Sequence, residues 1–443
     1  MKSRWISLIV FLSFATLLFS LAPQSLPNLQ ESSAWGDDDK PQFPKHATFT
    51  TLITTPLAIE GLTGDRFGNL YTTGRATAPE LCPVWSINKD NPVLVVVGFI
   101  PNPAACNPAG IAFDAARNLY IADAASGGVI WVLTPSAANR PTATLFASGV
   151  PGANGVAFDR EGNLWTSDGT TGQGRVWKIA PQGGICEAAV NPYQGCEEVF
   201  RIQPMANELN PATTDGVSNV GRDIRALPLG LITVTPTTRN AALNNVGCPT
   251  PPGPPCVLGS QPLVANGLAF NKKGDLLNID TARGALWKVE FDRHGKLKSP
   301  TGCDTTFTAN TLCLSNIFVA HPILEGGDGI ALDREGNIWV DANERNAVAI
   351  VTRYGKVFEV FRNPVNSAGL RNSADTADGN KRILEFPTSP FLSGKVFCTS
   401  QSDGNRRDNS PNTAGEVSPA GPIGKISCMD QELKIPGLRL PID

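Results

Sequence analysis

Four oxygen-bearing residues stand at one place in a repeated unit, each followed by glycine: Glu60-Gly61, Asn154-Gly155, Asn266-Gly267 and Asp328-Gly329. Two carboxylates and two amides with a formal charge of −2 are the donor set of a hard divalent cation. Ca²⁺ suits such a set, because it takes about six to eight oxygens and four side chains leave positions for water or substrate. The ligand type is better fixed than the ion, so Mg²⁺, Mn²⁺ and Zn²⁺ stay admissible. The plainer reading is that these side chains cap inner strands or hold a purely stabilising ion. That reading would suffice for one Asn-Gly pair, but four polar residues at one repeat position favour a metal site.

The elements that must position them are read from the repeat itself. One unit runs Asn154-Gly155-Val156-Ala157-Phe158-Asp159-Arg160-Glu161-Gly162-Asn163-Leu164-Trp165, and another runs from Asp328 to Trp339 with the same pattern. Further units start at Glu60, Ala109 and Asn266, and a degenerate sixth runs from Phe386 to Phe397. Val156 and Phe158 alternate with Ala157 as a half-buried strand requires. Asp159 to Asn163 is a turn, with Gly162 free to take positive φ, and Leu164-Trp165 opens the returning strand. A third apolar strand follows, as in Arg175–Ile179 or Ala285–Val289, and then a fourth, as in Val357–Phe361. Four strands at a blade-sized period predict an all-β chain folded as a β-propeller.

Unit starts at residues 60, 109, 154, 266, 328 and 386 give steps of 49, 45, 112, 62 and 58 residues. The long step holds either an inserted loop or a worn seventh blade around Arg222 to Val234. Its wealth of Pro, Asn and Thr, with two cysteine pairs, favours a loop at about 181–258 and hence six four-stranded antiparallel blades. Thr48 to Thr54 has no hairpin partner of its own and is expected to close the ring as the outer strand of the last blade. Residues preceding the innermost strands converge on one end of the central channel. Round the ring they read Glu60, Ala109, Asn154, Asn266, Asp328 and Phe386.

The 443 residues carry a formal net charge of −3 and no basic run, which argues against nucleic acid or an anionic membrane as partner. Lys2 and Arg4 precede an apolar run from Trp5 to Ala22, the pattern of an export signal. Ser32-Ser33-Ala34 is a better cleavage site than Ser20-Leu21-Ala22, which Pro23 follows. The expected layout is a signal over 1–34, a linker over 35–44 and one propeller domain over 45–443; an uncleaved signal would instead anchor the chain in a membrane. Ten cysteines agree with a secreted or periplasmic protein, pairing most simply as neighbours: Cys82 with Cys106, Cys186 with Cys196, Cys248 with Cys256, Cys303 with Cys313 and Cys398 with Cys428. Asp168, Asp280 and Asp341 recur after second strands and are read as bonding backbone in turns.

The order Glu, Asn, Asn, Asp at these unit starts resembles the SMP-30/gluconolactonase/LRE-like family of six-bladed propellers, with paraoxonases and diisopropylfluorophosphatase more distant. The resemblance covers roughly residues 45–400. It implies a metal held by Glu60, Asn266 and Asp328, with Asn154 lining the site. It also implies metal-assisted hydrolysis of a small-molecule lactone or related ester, in which Asp328 is both ligand and base. The insertion after Asn154 is large for the family, Gly152 stands where sugar-lactonase relatives place an arginine, and the paired histidines of paraoxonases are not recognisable. Two other functions fit a propeller: a non-catalytic module of the NHL kind that binds protein or glycan, and a strictosidine-synthase-like or lyase-like enzyme with different axial chemistry. The binding module has no need for the four polar residues to meet.

Overall fold

The computed structural model describes residues 43–44, 46–101, 106–125, 127–169, 171–186, 194–203, 263–305, 307–324, 326–343, 346–362, 384, 386–402 and 424–440. The export signal, the worn hairpin at Arg222 to Val234 and the pair Cys248 and Cys256 lie outside these residues. Among those described, the strands form six sheets, each built on four antiparallel strands. The first sheet holds β2 (Ile59–Gly64), β3 (Asn69–Gly74), β4 (Cys82–Asn88) and β5 (Asn91–Ile100). The second holds β6 (Pro108–Phe113), β7 (Leu119–Asp123), β8 (Val129–Leu133) and β9 (Thr144–Ser148). The third holds β10 (Ala153–Phe158), β11 (Leu164–Asp168), β12 (Arg175–Ile179) and β14 (Cys196–Arg201), while the short β13 (Gly184–Ile185) reaches back to pair in parallel with β9. The fourth holds β15 (Leu268–Phe270), β16 (Leu276–Asp280), β17 (Ala285–Val289) and β18 (Ile317–Ala320). The fifth holds β19 (Gly327–Leu332), β20 (Ile338–Ala342), β21 (Ala347–Val351) and β22 (Val357–Arg362).

The sixth sheet comprises β23 (Pro387–Ser393), β24 (Val396–Ser402), β25 (Gly424–Met429) and, as its outer strand, β1 (Phe49–Thr55). β1 pairs antiparallel with β25 from Phe49↔Met429 to Thr55↔Gly424, which closes the ring as the unpartnered N-terminal strand predicts. Each first strand touches the first strands of both neighbouring sheets, and the cycle β2–β6–β10–β15–β19–β23 returns to β2. That cycle is the wall of the channel, and the sheets are the blades of a six-bladed propeller. The outer strand of the third blade, Cys196–Arg201, lies inside the stretch read from sequence as an insertion.

Hydrophobic packing between blades fills the space behind that wall. Trp165, Trp287 and Trp339 are almost fully buried, Trp165 meets Phe270 edge-on at 5.6 Å, and Trp339 lies 5.0 Å from Phe397. The hairpin turns are locked by one recurring device. Asp159 accepts the Asn163 backbone N–H at 2.8 Å, its side-chain amide at 2.9 Å and the Trp165 indole N–H at 2.8 Å. Asp65 with Asn69 and Tyr71, Asp114 with Asn118 and Tyr120, and Asp333 with Asn337 repeat it, while Asn271 and Asp275 exchange roles. Disulfides link Cys82–Cys106, Cys186–Cys196, Cys303–Cys313 and Cys398–Cys428, four of the expected neighbour pairs.

Two sequence readings are corrected here. The sixth unit does not start at Phe386, which has φ +57° and donates its N–H to the Asn346 side chain before the strand begins. Its register, Pro387↔Gln401 and Pro390↔Thr399, matches Gly327↔Ala342 and Ile330↔Val340 of the fifth blade, so Thr388 is the counterpart of Asp328. Asp341 is likewise not the counterpart of Asp168 and Asp280. It stands three residues into its strand from Ile338, whereas they stand four in from Leu164 and Leu276, so it faces the opposite side of its blade. Asp123 is the counterpart that the sequence reading missed; it accepts from the backbone of Asn107 and Ala125 and from the indole of Trp131.

Candidate metal centre

Glu60, Ala109, Asn154, Asp328 and Thr388 on inner strands, and Asn266 two residues before β15, stand at one level of the channel wall. The glycines that follow them show how closely the wall is drawn in. A Cβ on Gly61 would lie 2.1 Å from the Ala109 carbonyl oxygen, on Gly110 2.4 Å from that of Asn154, and on Gly155 2.8 Å from that of Asn266. On Gly267 it would lie 2.5 Å from the Asp328 carbonyl oxygen, and on Gly329 2.4 Å from that of Thr388. The Thr388 and Ser400 hydroxyls complete the circle by donating to the Glu60 carbonyl. Glycine after five of the six axial residues is therefore a demand of backbone against backbone, and only Thr388 is followed by another residue, Ser389. Of the six positions, Phe386 drops out and a hydroxyl, Thr388, takes its place.

The residue fifteen further along supports the axial side chain from the same blade. In four blades its N–H donates to the carbonyl two residues before the axial position: Arg75 to Ala58 at 2.9 Å, Ala124 to Asn107 at 3.2 Å, Gly169 to Gly152 at 3.0 Å and Asn343 to Gly326 at 2.8 Å. This fixed frame brings Arg75 into an ion pair with Glu60 and points the Asn343 amide at Asp328 Oδ2, 2.9 Å away. In the fourth blade Thr281 Oγ1 accepts from Asn266 Nδ2 at 3.0 Å. In the third, a Cβ on Gly169 would come within 2.5 Å of the Asn154 side chain, so glycine there makes room for it. Sequence reasoning missed Arg75, Thr281 and Asn343; the constant spacing of fifteen was the signal that could have found them.

The buried oxygens test whether a cation fits. Thr281 gives its one hydroxyl proton to the Gly327 carbonyl at 2.6 Å, so towards Asn266 it can only accept. That fixes the amide with its nitrogen on Thr281 and its oxygen turned away. Asn266 is 1% exposed, and its Oδ1 has no hydrogen-bond partner. A buried acceptor left so costs about 1–3 kcal/mol, and a cation would satisfy it. Asn278 braces the same residue from behind by donating to the Asn266 and Gly267 carbonyls, both at 3.1 Å. Asn154, Asn266 and Asp328 are all buried, at 7%, 1% and 6% exposure, so charge placed among them is poorly screened. Among the described residues no group of three or more His, Cys, Asp or Glu could hold a metal, so the donor set here rests on amides beside two carboxylates.

Three buried second-strand aspartates differ in what opposes their burial, and Asp341 among them feels the charge of Asp328. Burial pushes Asp168 and Asp280 above the usual carboxylate range, opposed by Arg175 at 2.9 Å and Arg283 at 2.6 Å. Asp341 is pushed up much further by burial, with only the Thr399 hydroxyl to oppose it and the charge of Asp328 adding to the effect. A surface cavity of about 210 Å³ between the third and fourth blades lies at the opposite end of the inner strands, among turn residues such as Asp159 and Gly274, and shares none of the axial set.

Residues 257–369 match the family model described as SMP-30/Gluconolactonase/LRE-like region, which bears out the resemblance over the blades that carry Asn266 and Asp328. No curated protein matches the chain. Among solved structures, regucalcin from Agrobacterium tumefaciens, titled a calcium-binding protein, superposes with a TM-score of 0.50 at 16% identity, covering 90% of this chain and 98% of its own. A luciferin-regenerating enzyme gives 0.49 at 11% identity, covering 88% and 97%. The PQQ-bound aldose sugar dehydrogenase of Streptomyces coelicolor gives 0.48 at 13%, covering 87% and 99%. At 16% identity the likeness to regucalcin shows the fold alone.

Proposed function

We propose that this propeller is an exported, metal-dependent hydrolase of a lactone or related ester, with Glu60, Asn154, Asn266 and Asp328 as ligands of one divalent ion, Ca²⁺ in the first instance. The observation that carries the reading is the buried, partnerless Oδ1 of Asn266, held in that orientation by Thr281. The matched family region and the four disulfides support it, the latter because such bridges persist in oxidising compartments. Among the described residues no helix is long and apolar enough to cross a membrane.

A bound divalent ion supplies Lewis acidity, polarising the substrate carbonyl and stabilising the oxyanion that develops on it. The chain's residues do the rest. Glu60 brings negative charge from the first blade and Asp328 from the fifth, while the two amides add oxygens without further charge. Asn343 donates to Asp328 Oδ2 and so orients the carboxylate that would take a proton from the attacking water. Thr281 keeps the Asn266 amide from turning its nitrogen about, and Asn278 holds the backbone that carries it.

Calorimetric titration of the chelator-stripped protein with Ca²⁺, Mg²⁺, Mn²⁺ and Zn²⁺, followed by a lactone hydrolysis screen with each, tests the reading. One saturable site that Asn266→Leu removes, with hydrolysis that returns on adding the ion, is the expected result. A protein that binds none of the four ions, or binds them equally well as Asn266→Leu, ends the metal reading and leaves the non-catalytic binding module in its place.

A further inference from the structure

Arg75 occupies the supporting position of the first blade, where the fourth and fifth blades carry the neutral Thr281 and Asn343. Those two meet their axial residue with an uncharged group; Arg75 sets a full positive charge on Glu60. The pairing is built in, because the Arg75 N–H is tied to the Ala58 carbonyl at 2.9 Å beside the start of β2. Both side chains are largely shielded, at 19% and 14% exposure, so salt screens the pair weakly.

From this we infer that Arg75 competes with the divalent ion for Glu60 and, once the ion is bound, selects substrates that bear a carboxylate. The inference rests on the axial metal reading. A carboxylate that already serves a guanidinium has less charge to offer an ion, and the ion and guanidinium repel each other across it. With the ion on Glu60, the guanidinium gives up part of its hold on that side chain. It is a planar fork of N–H donors, and the group that matches it is another carboxylate. Ion and arginine together then meet the two ends of one substrate, the ion its reacting carbonyl and Arg75 its anionic group.

Calcium calorimetry on the stripped full chain separates the possibilities. Arg75→Gln keeps a donor for Glu60 and removes only the charge, and its Ca²⁺ affinity is expected to rise about tenfold or more. Arg75→Lys keeps the charge and should bind Ca²⁺ as the parent does. With Ca²⁺ bound, Arg75→Gln should raise the KM for a carboxylate-bearing lactone, relative to that for a neutral lactone of the same ring, by about tenfold. Equal Ca²⁺ affinity in the parent and Arg75→Gln, or equal tightening in Arg75→Lys, overturns the competition and leaves the metal site standing. An unchanged ratio of the two KM values overturns the selectivity. Absence of Ca²⁺ binding in all three proteins overturns the metal reading and the inference with it.

Discussion

The two ends of each inner hairpin obey opposite rules. At the turn end, five blades pair an Asp with an Asn four residues apart, reversed in the fourth, and in three of them an aromatic, Tyr71, Tyr120 or Trp165, also donates to the Asp. At the axial end the backbone frame is nearly as constant, with a glycine closely approaching the next blade in five of the six, yet the side chains are of five kinds: Glu60, Ala109, Asn154 and Asn266, Asp328, Thr388. Repetition at the turn end serves a task common to all blades, which is folding a hairpin. Variation on a fixed frame is what the proposed metal site would draw on, with different blades supplying different donors. A circular fold allows this because six equivalent places face one point while their side chains remain independent.

The contrast can be broken most sharply at Asp328. Asp328→Asn keeps an oxygen and loses the charge and the proton acceptor, so lactone hydrolysis should fall by about 10²–10⁴-fold while the thermal midpoint without metal stays near that of the parent. If hydrolysis survives, Asp328 is not the base. Next in size is Asn343→Ala, which frees the Asp328 carboxylate plane. Removing such a supporting group should weaken Ca²⁺ binding or hydrolysis by about 10–100-fold, and calorimetry beside kinetics will show which. At the turn end the loss falls on stability instead. Asp159→Ala strands the indole N–H of Trp165 and the Asn163 amide, and denaturant unfolding should register a loss of about 1–3 kcal/mol, with Ca²⁺ affinity unmoved. A change in Ca²⁺ affinity there would erase the division between the two ends.

The smallest effect concerns Asp341, which sits beside the axial level without a cation of its own. Its folded-state pKa lies above the value in the unfolded chain, so the folded protein keeps this proton where the unfolded chain releases it. The stability contribution is therefore present at low pH and is lost as pH rises from about 4 to the raised value, beyond which it is flat. Asp341→Asn should remove that part of the decline, giving a flatter profile of thermal midpoint against pH in metal-free buffer. A profile that still falls in parallel with the parent's would assign the decline to other groups.

Much of this molecule was legible because its repeats carry strong local chemistry. The hairpin at Asn154 to Trp165 announces two strands and a turn, and Thr48 to Thr54 announces ring closure by its lack of a partner. The sixth blade was misread by two residues because Thr388-Ser389-Pro390 has neither the acidic or amide start nor the glycine that marks the others, and Ser393-Gly394 replaces the Asp–Asn turn. Without those marks, only pairing with β24 fixes the register. Asp341 was grouped with Asp168 and Asp280 by type, although a shift of one residue in a strand turns a side chain to the other face. Cys196–Arg201 was absorbed into an insertion since its burial alternates too weakly to declare a strand. Arg75, Thr281 and Asn343 share no residue type, so only a spacing, not a composition, connects them.

The pairing of β1 with β25 also sets an order of events during synthesis. Thr48 and Gln431, bonded to each other across that seam, are 383 residues apart in the chain. While a ribosome is still making the fifth blade, β1 has long emerged and has nothing to pair with. Until β25 arrives, β1 is a lone strand whose backbone pairing groups are open to a stranger. An exported chain would cross its membrane in that unfinished condition and would close, with Cys398 meeting Cys428 beside the seam, only after its last strand had followed the first.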